Sequence, residues 1–191
     1  MDELHWENFI MDNTKKLGLI IGSLRKDSIN RMVAEYIVSQ LPENIEVEEI
    51  EIAQLPLYNQ DYDKQTIESY DQVRQKIKEV DTVLIVTPEH NRTLPAALKN
   101  VIDIASRPHG DSAWSGKKVA VVTASPGTYG GRQCGLDVRK SMQALSAKVM
   151  IAPEVYLSHA SDSIEDGKVS NEKTQQYLTK FADALVQFIE E

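Results

Sequence analysis

The chain has little of what secreted, metal-dependent or nucleic-acid-binding proteins usually contain. Its single cysteine cannot form an internal disulfide, and its four histidines have no metal-ligand spacing with that cysteine. The formal net charge of −8 disfavours nucleic acid and anionic membranes as partners, because both would repel the chain. With 41% hydrophobic residues, the chain can bury a full core without disulfides. These properties predict a cytoplasmic protein in a reducing environment.

Long apolar runs and two common nucleotide-binding motifs are absent as well. No segment approaches the roughly 20 apolar residues of a membrane span, and residues 1–14 carry several acidic side chains, unlike a secretory signal. We expect residues 1–14 to be a flexible extension, with an alternative start at Met11, and residues 15–191 to form a single domain. The patterns G-x-G-x-x-G and G-x-x-x-x-G-K-[ST] do not occur, so dinucleotide-fold and Walker-type sites lose their main support.

What is present is a regular alternation of predicted strands and helices. Apolar patterns predict strands over residues 17–21, 45–48, 82–86, 118–123 and 148–151, the second of them an edge strand with an acidic face. Helical spacing of apolar residues predicts helices over residues 30–41, 69–79, 96–105, 132–145 and 171–190. The connections are mostly too long for hairpins. This indicates an α/β fold: a flavodoxin-like, doubly wound, five-stranded parallel sheet of order 2-1-3-4-5, with helices on both faces.

Ligands of such sheets bind beyond the carboxyl ends of the strands, between strands 1 and 3, and three polar loops converge there. The first loop offers the hydroxyls of Ser23 and Ser28, the amide of Asn30 and the guanidinium of Arg25 where a helix begins. Helix N-termini attract anions and arginine pairs with phosphate, so this loop is a candidate phosphate site. Gly22 would allow close backbone approach. Ser28 or Asn30 could instead serve only as a helix cap.

The second and third loops suit a planar ring. Residues 87–95 are bounded by Pro88 and Pro95, and a rigid backbone can contact a ring without a large ordering cost. The alternative is an ordinary loop before a helix. Residues 125–131 contain three glycines, which either let a ligand approach closely or provide positive φ angles. The sequence leaves these two explanations open.

Together the loops resemble the NADPH-dependent FMN reductase family of flavodoxin-like proteins, especially its bacterial quinone, chromate and azo-dye reductase branch. The motifs that carry the resemblance are residues 22–30, residues 87–91 with 98–103, and residues 125–131. The similarity extends from about residue 17 to residue 190. It implies bound FMN, transient NADPH or NADH, and a homodimer or homotetramer.

The resemblance also implies which residues bind the cofactor. Ser23, Arg25, Ser28 and Asn30 would hold the FMN phosphate, residues 88–91 would line the isoalloxazine ring, and Ser125 would border it. The full expected set is Ser23, Leu24, Arg25, Lys26, Asp27, Ser28, Ile29, Asn30, Pro88, Glu89, His90, Asn91 and Ser125. This chain has His90 where the family usually has tyrosine, and residues 92–96 replace smaller side chains. Neither a catalytic side chain nor a metal ligand is expected.

The implied activity is that of an NAD(P)H oxidoreductase. Hydride would pass from NAD(P)H through bound FMN to a quinone, an azo compound, chromate or free flavin, in a ping-pong sequence. The alternatives are a non-catalytic electron carrier of the flavodoxin type and a regulatory flavin-binding module. A carrier would be expected to have a phosphate loop rich in serine, threonine and glycine, whereas this loop contains Arg25.

Five further side chains have two interpretations each. Cys134 lies in the first turn of a predicted helix, where a thiolate is favoured, but the sequence offers no partner cysteine or base, so we expect a packed residue. The phosphate of NADPH could be bound by cationic side chains outside the first loop, which are otherwise solvated charges. The candidates are Arg92, Arg107, His109 and Arg132.

Overall fold

The computed structural model describes residues 14–191, so the extension and the alternative start at Met11 predicted for residues 1–14 fall outside the described residues, apart from Thr14. The strands are β1 (Lys15–Ile21), β2 (Ile45–Glu49), β3 (Thr82–Thr87), β4 (Lys118–Ala124), β5 (Lys148–Val149), β6 (Val155–Leu157), β7 (Ile164–Glu165) and β8 (Lys168–Val169). The α-helices are α1 (Ile29–Ser39), α2 (Glu68–Glu79), α3 (Ala96–Ala105), α4 (Arg132–Ala144) and α5 (Glu172–Glu190).

The main sheet is parallel and has the predicted order β2-β1-β3-β4-β5. β1, β3 and β4 form its centre, and almost all their residues are buried because helices cover both faces. β2 is the edge strand, as its acidic pattern indicated, and its exposed Glu46 and Glu48 alternate with Ile45 and Val47. The flavodoxin-like fold is therefore confirmed.

The fifth strand position differs from the prediction of one strand over residues 148–151. β5 pairs only with the first two residues of β4, and β6 pairs with the last three. Both segments thus occupy one position beside β4, and the segment between them leaves the sheet. The sequence pattern missed β6 because three residues are too few for a periodic signal. The small antiparallel pair β7–β8 was missed for the same reason.

Side chains alternate along the central strands and divide the core in two. Leu17, Leu19 and Ile21 of β1 pack with α1 and α5 on one face. Ile20 of β1 packs with α2, α3 and α4 on the opposite face. Val83 and the alternate residues of β3 and β4 lie on that face as well. This alternation is the period of two that a pleated strand imposes. Within residues 14–191, none of the helices is long and apolar enough to cross a membrane.

The carboxyl end of β1 requires a glycine, and the structure adds a packing reason for it. A Cβ atom at Gly22 would lie 2.2 Å from Oγ1 of Thr87, the last residue of β3. The backbone at Gly22 therefore approaches the neighbouring strand closely, and close approach to a ligand at Gly22 stays a prediction. Gly22 lets β1 and β3 end side by side, with its N–H donating to the carbonyl of Val86 at 2.9 Å.

We predict that Gly22→Ala destabilises the protein by roughly 1–3 kcal/mol, the usual cost of overpacking a close contact. Gly127→Ala is the matched control, because its added Cβ would lie 3.6 Å from the Ser125 hydroxyl and its φ is not positive. Its effect should stay within about 0.5 kcal/mol. Urea unfolding curves measure both. Equal stability of the two variants would contradict this explanation of Gly22.

Candidate functional site

The register of the sheet brings the three predicted loops to one edge. Ile21 of β1 pairs with Val86 of β3, and Thr87 of β3 pairs with Thr123 of β4. Since the strands are parallel and end together, the loops that follow them leave the sheet as neighbours. The loops are residues 22–28, 88–95 and 125–131.

In the first loop, two of the predicted polar side chains are engaged with the protein itself. Ser28 is 2% exposed, and its Oγ caps α1 by accepting from the backbone N–H of Arg31 at 3.3 Å. Asn30 is 4% exposed, and its Nδ2 donates to the carbonyl of Ala124 at 3.2 Å, which ties α1 to the end of β4. Its Oδ1 is buried and has no hydrogen-bond partner among the described residues. Capping is thus one role of Ser28, while Asn30 keeps an unused acceptor.

The other residues of the first loop are open to solvent. Leu24, Arg25, Lys26 and Asp27 are exposed, and Ser23 is half-buried with its Oγ accepting from the N–H of Arg25 at 3.4 Å. Neither cation forms an ion pair with any carboxylate of residues 14–191.

Ile29 opens α1 and packs against the core. The first N–H groups of a helix lack intrahelical acceptors, so two cations and a positive helix end meet at this loop. This arrangement suits an anion.

Arg31, in the first turn of α1, fixes the other side of this loop. Its guanidinium donates two bonds to the carboxylate of Glu49 at the end of β2, at 2.9 and 2.6 Å. These bonds lower the pKa of Glu49 and raise that of Arg31, against the opposing effect of partial burial. Because its charge is paired with Glu49, Arg31 holds the start of α1 against β2, whereas Arg25 and Lys26 are exposed.

The second loop is a tight hairpin turn. His90 and Thr93 exchange two backbone hydrogen bonds of 3.0 Å each, and the residues between them, Asn91 and Arg92, have φ angles of 50° and 68°. These are the signs of a two-residue turn of the I′ kind. The sequence predicted a rigid loop from its prolines, and the backbone hydrogen bonds of the hairpin are a second source of rigidity. His90 and Asn91 are exposed at the tip and Pro88 is half-buried at the base.

Glu89 anchors the second loop to the next helix. Its Oε2 accepts from the backbone N–H of Cys134 at 3.1 Å, in the first turn of α4. A carboxylate at a helix N-terminus is favoured by the dipole. The predicted site residue Glu89 therefore contributes its side chain to loop geometry. Sequence reasoning could not find this contact because the two residues are 45 positions apart.

The third loop is held by its own backbone. Ser125 donates its N–H to the carbonyl of Leu157 at 3.0 Å, and its Oγ accepts from Gly127 at 3.1 Å. Gly130 and Gly131 have φ angles of 61° and 77°, and a Cβ at Gly130 would lie 2.5 Å from the carbonyl oxygen of Tyr156. Turn geometry and packing thus explain these two glycines. Gly127 meets neither condition.

Cys134 is a packed residue, as expected. It is fully buried, and burial raises the pKa of its thiol to about 12, although Thr87 offers it a hydrogen bond. Desolvation of the thiolate therefore outweighs the favourable helix end.

The four cationic candidates for a coenzyme phosphate separate into two pairs. Arg92 and Arg132 lie beside the second and third loops, where Arg92 stacks 4.8 Å from the ring centroid of Tyr129. Arg107 and His109 line a different pocket where α3 and α4 end, at the amino edge of the sheet. Within one chain, only the first pair is near the candidate site. Tyr129 was not singled out from the sequence, although an exposed aromatic residue in a glycine-rich loop is a usable signal.

A doubly wound parallel sheet of order 2-1-3-4-5, with three polar loops at the carboxyl edge of its central strands, defines a flavodoxin-like protein. The family model for NADPH-dependent FMN reductases matches residues 15–162, and the chain belongs to this family.

Two curated relatives and one solved structure resemble the chain over nearly its whole length. A quinone reductase of Pseudomonas putida is 41% identical, covering 94% of this chain and 97% of its own. A 2-hydroxy-1,4-benzoquinone reductase of a Burkholderia species is 37% identical, covering 91% of this chain and 96% of its own. The NAD(P)H:(acceptor) oxidoreductase FerB of Paracoccus denitrificans superposes with a TM-score of 0.85 at 36% identity, covering 93% of this chain and 98% of its own.

We predict that Cys134 is inert to thiol reagents in the folded protein. At pH 8 a thiol of pKa about 12 is about one part in ten thousand thiolate, against roughly a quarter for an ordinary cysteine. Reaction with Ellman's reagent should therefore be about a thousandfold slower in the native state than in denaturant. The chain has one cysteine, so the readout is unambiguous. Similar rates in both states would contradict the buried assignment.

Proposed function

We propose that this protein is an FMN-dependent NAD(P)H reductase whose acceptors are quinones or similar compounds. The observation that carries the proposal is the convergence of a cationic helix N-terminus and two rigid loops at one sheet edge. Membership of the FMN reductase family and the names of the two curated relatives support it.

The first loop fits the phosphate end of FMN. Arg25 and Lys26 would pair with the phosphate, with Ser23 and the N–H groups at the start of α1 as further donors. The unused Oδ1 of Asn30 is a buried acceptor, and a buried acceptor is costly unless a donor reaches it. The polyol chain of FMN carries hydroxyl donors of the required kind.

The second and third loops fit the ring. The turn at Asn91 and Arg92 and the bond from Cys134 to Glu89 hold residues 88–91 in one shape, so little entropy is lost when a planar ring binds. Ser125 lies at the corresponding place after β4, where its hydroxyl and backbone are already held. These residues would bind and orient the ring and restrict water on one side of it.

The chemistry that bound FMN supplies is two-electron transfer between a nicotinamide and an acceptor. The protein's part is position and electrostatics, and we assign no side chain as a catalytic acid, base or nucleophile. The role of Cys134 is packing, because its raised pKa makes it a poor nucleophile.

We also infer a homodimer or homotetramer from the resemblance. Light scattering measures this state directly.

We predict that Arg25→Gln weakens FMN binding about ten- to a hundredfold, because a charge-assisted bond to phosphate contributes roughly 1.5–3 kcal/mol. Riboflavin lacks the phosphate, so its affinity should be the same for the variant and the parent protein. Lys148→Gln is the matched control, since Lys148 is an exposed cation at the amino end of β5. Flavin fluorescence titration gives all the affinities. Equal losses for FMN and riboflavin would show that Arg25 does not bind the phosphate.

The kinetic prediction is a ping-pong pattern. If NAD(P)H and the acceptor use the same site in turn, double-reciprocal plots at several fixed quinone concentrations are parallel. Stopped-flow bleaching of the flavin by NADPH or NADH, before quinone is added, should also be fast enough to account for turnover. Intersecting plots would contradict the shared site, and slow bleaching by both coenzymes would favour an electron carrier instead.

A further inference from the structure

A cavity of ≈ 590 Å³ opens beside the ring-binding loops. Its lining comes from the second loop, the third loop and the first turns of α4: Glu89, Arg92, Tyr129, Arg132, Gln133 and Leu136. Small-molecule sites usually measure roughly 300–1,000 Å³. The cavity is therefore large enough for a reacting molecule, and Glu89 places it next to the residues proposed to line the flavin.

The cavity wall carries two guanidinium groups and an exposed aromatic ring. Arg92 stacks on Tyr129 with 4.8 Å between the guanidinium carbon and the ring centroid, and 67% of Tyr129 is exposed. Arg132 is exposed, and its guanidinium lies 5.8 Å from the ring centroid of Tyr156. Stacking pre-organises a guanidinium while leaving its N–H donors free in the plane. The wall thus offers planar surfaces and directed cationic donors.

The acidic groups nearby do not neutralise both arginines. The carboxylate of Glu89 lies 3.7 Å from Arg92, and its other oxygen already accepts from the N–H of Cys134. Asp137 is engaged by Thr93, Lys140 and Gln133 at 3.1, 3.3 and 3.4 Å. No carboxylate of residues 14–191 forms an ion pair with Arg132. Positive charge therefore remains at this wall in a chain of net charge −8.

We propose that Arg92 and Arg132 bind a negatively charged group carried by the molecule that reacts in this cavity. The inference rests on the proposed reductase function and deepens it, because it makes charge a criterion of substrate choice. An acidic acceptor such as a hydroxyquinone, which is an anion at neutral pH, carries such a group. So does NADPH, whose additional phosphate distinguishes it from NADH. Both are bound by the same fork geometry of guanidinium donors.

The cost of leaving these arginines without an anion is small, because both are exposed to water. Neutral substrates should therefore still bind, and selectivity should come from an added attraction. Exposed charge pairs are worth up to about 1 kcal/mol, and bonds to charged groups somewhat more. For each arginine, this corresponds to a preference of about five- to tenfold for the charged substrate.

The test compares matched substrates on Arg92→Gln and Arg132→Gln. For the acceptor, 2-hydroxy-1,4-naphthoquinone is compared with its neutral 2-methoxy analogue. For the coenzyme, NADPH is compared with NADH at a fixed concentration of the methoxy compound. We expect both variants to lower one ratio of kcat/KM, charged over neutral, about five- to tenfold. The ratio that falls identifies which molecule carries the anion, and Lys148→Gln should change neither ratio.

A binding measurement separates this inference from the proposed function. Calorimetry of the FMN-loaded protein with 2-hydroxy-1,4-naphthoquinone, or with adenosine 2′,5′-bisphosphate against adenosine 5′-monophosphate, reads the anion subsite without turnover. If the parent protein oxidises neither coenzyme but binds the charged ligand through both arginines, the reductase function is wrong and the subsite stands. If neither the rate ratios nor the affinities change in the variants, the subsite is wrong and the reductase function is unaffected.

Discussion

Parallel pairing of β1, β3 and β4 in one register is the constraint on which the candidate site depends. Because Ile21 lies opposite Val86 and Thr87 opposite Thr123, the strands end at the same level. Gly22 is part of this constraint, since any larger residue would collide with Thr87. A shift of one residue would turn buried side chains toward the opposite face and move the loops apart.

Side chains and backbone groups of the protein then hold each loop in place. Asn30 joins α1 to the end of β4, Glu89 joins the second loop to α4, and Ser125 joins the third loop to β6. These are long-range contacts between segments distant in sequence, so they depend on the tertiary fold. A site held in this way would lose little entropy on binding the planar cofactor that we propose. The exposed side chains are those that hold no loop in place, such as Arg25, Lys26 and the tip of the second loop.

The sequence allowed the order of the sheet to be predicted because its central strands are continuously apolar and its loops carry the polar residues. It did not allow the turn at Asn91 and Arg92 to be predicted, since arginine seldom adopts a positive φ and gives no signal for it. The double role of Asn30 was equally hidden. Its Nδ2 donates to the carbonyl of Ala124, while its Oδ1 has no hydrogen-bond partner within residues 14–191. Only the packing of α1 on β4 gives these two atoms different surroundings.

The net charge of the chain and its local cations have opposite effects on the ligands proposed for the two ends of the site. The chain is acidic overall, and glutamates such as Glu46 and Glu48 lie on the edge strand β2. Flavin phosphate, pyridine nucleotides and acidic quinones are all anions, so the long-range field of the protein repels its own proposed ligands. In the proposed site, binding would then come from short-range contacts with local cations, Arg25 and Lys26 at one end and Arg92 and Arg132 at the other. Such contacts act within about one Debye length, roughly 8 Å at physiological salt. Salt would therefore screen the global repulsion together with the local attraction. If the proposed site is correct, the local geometry of the guanidinium groups, more than the net charge, decides which anions bind there.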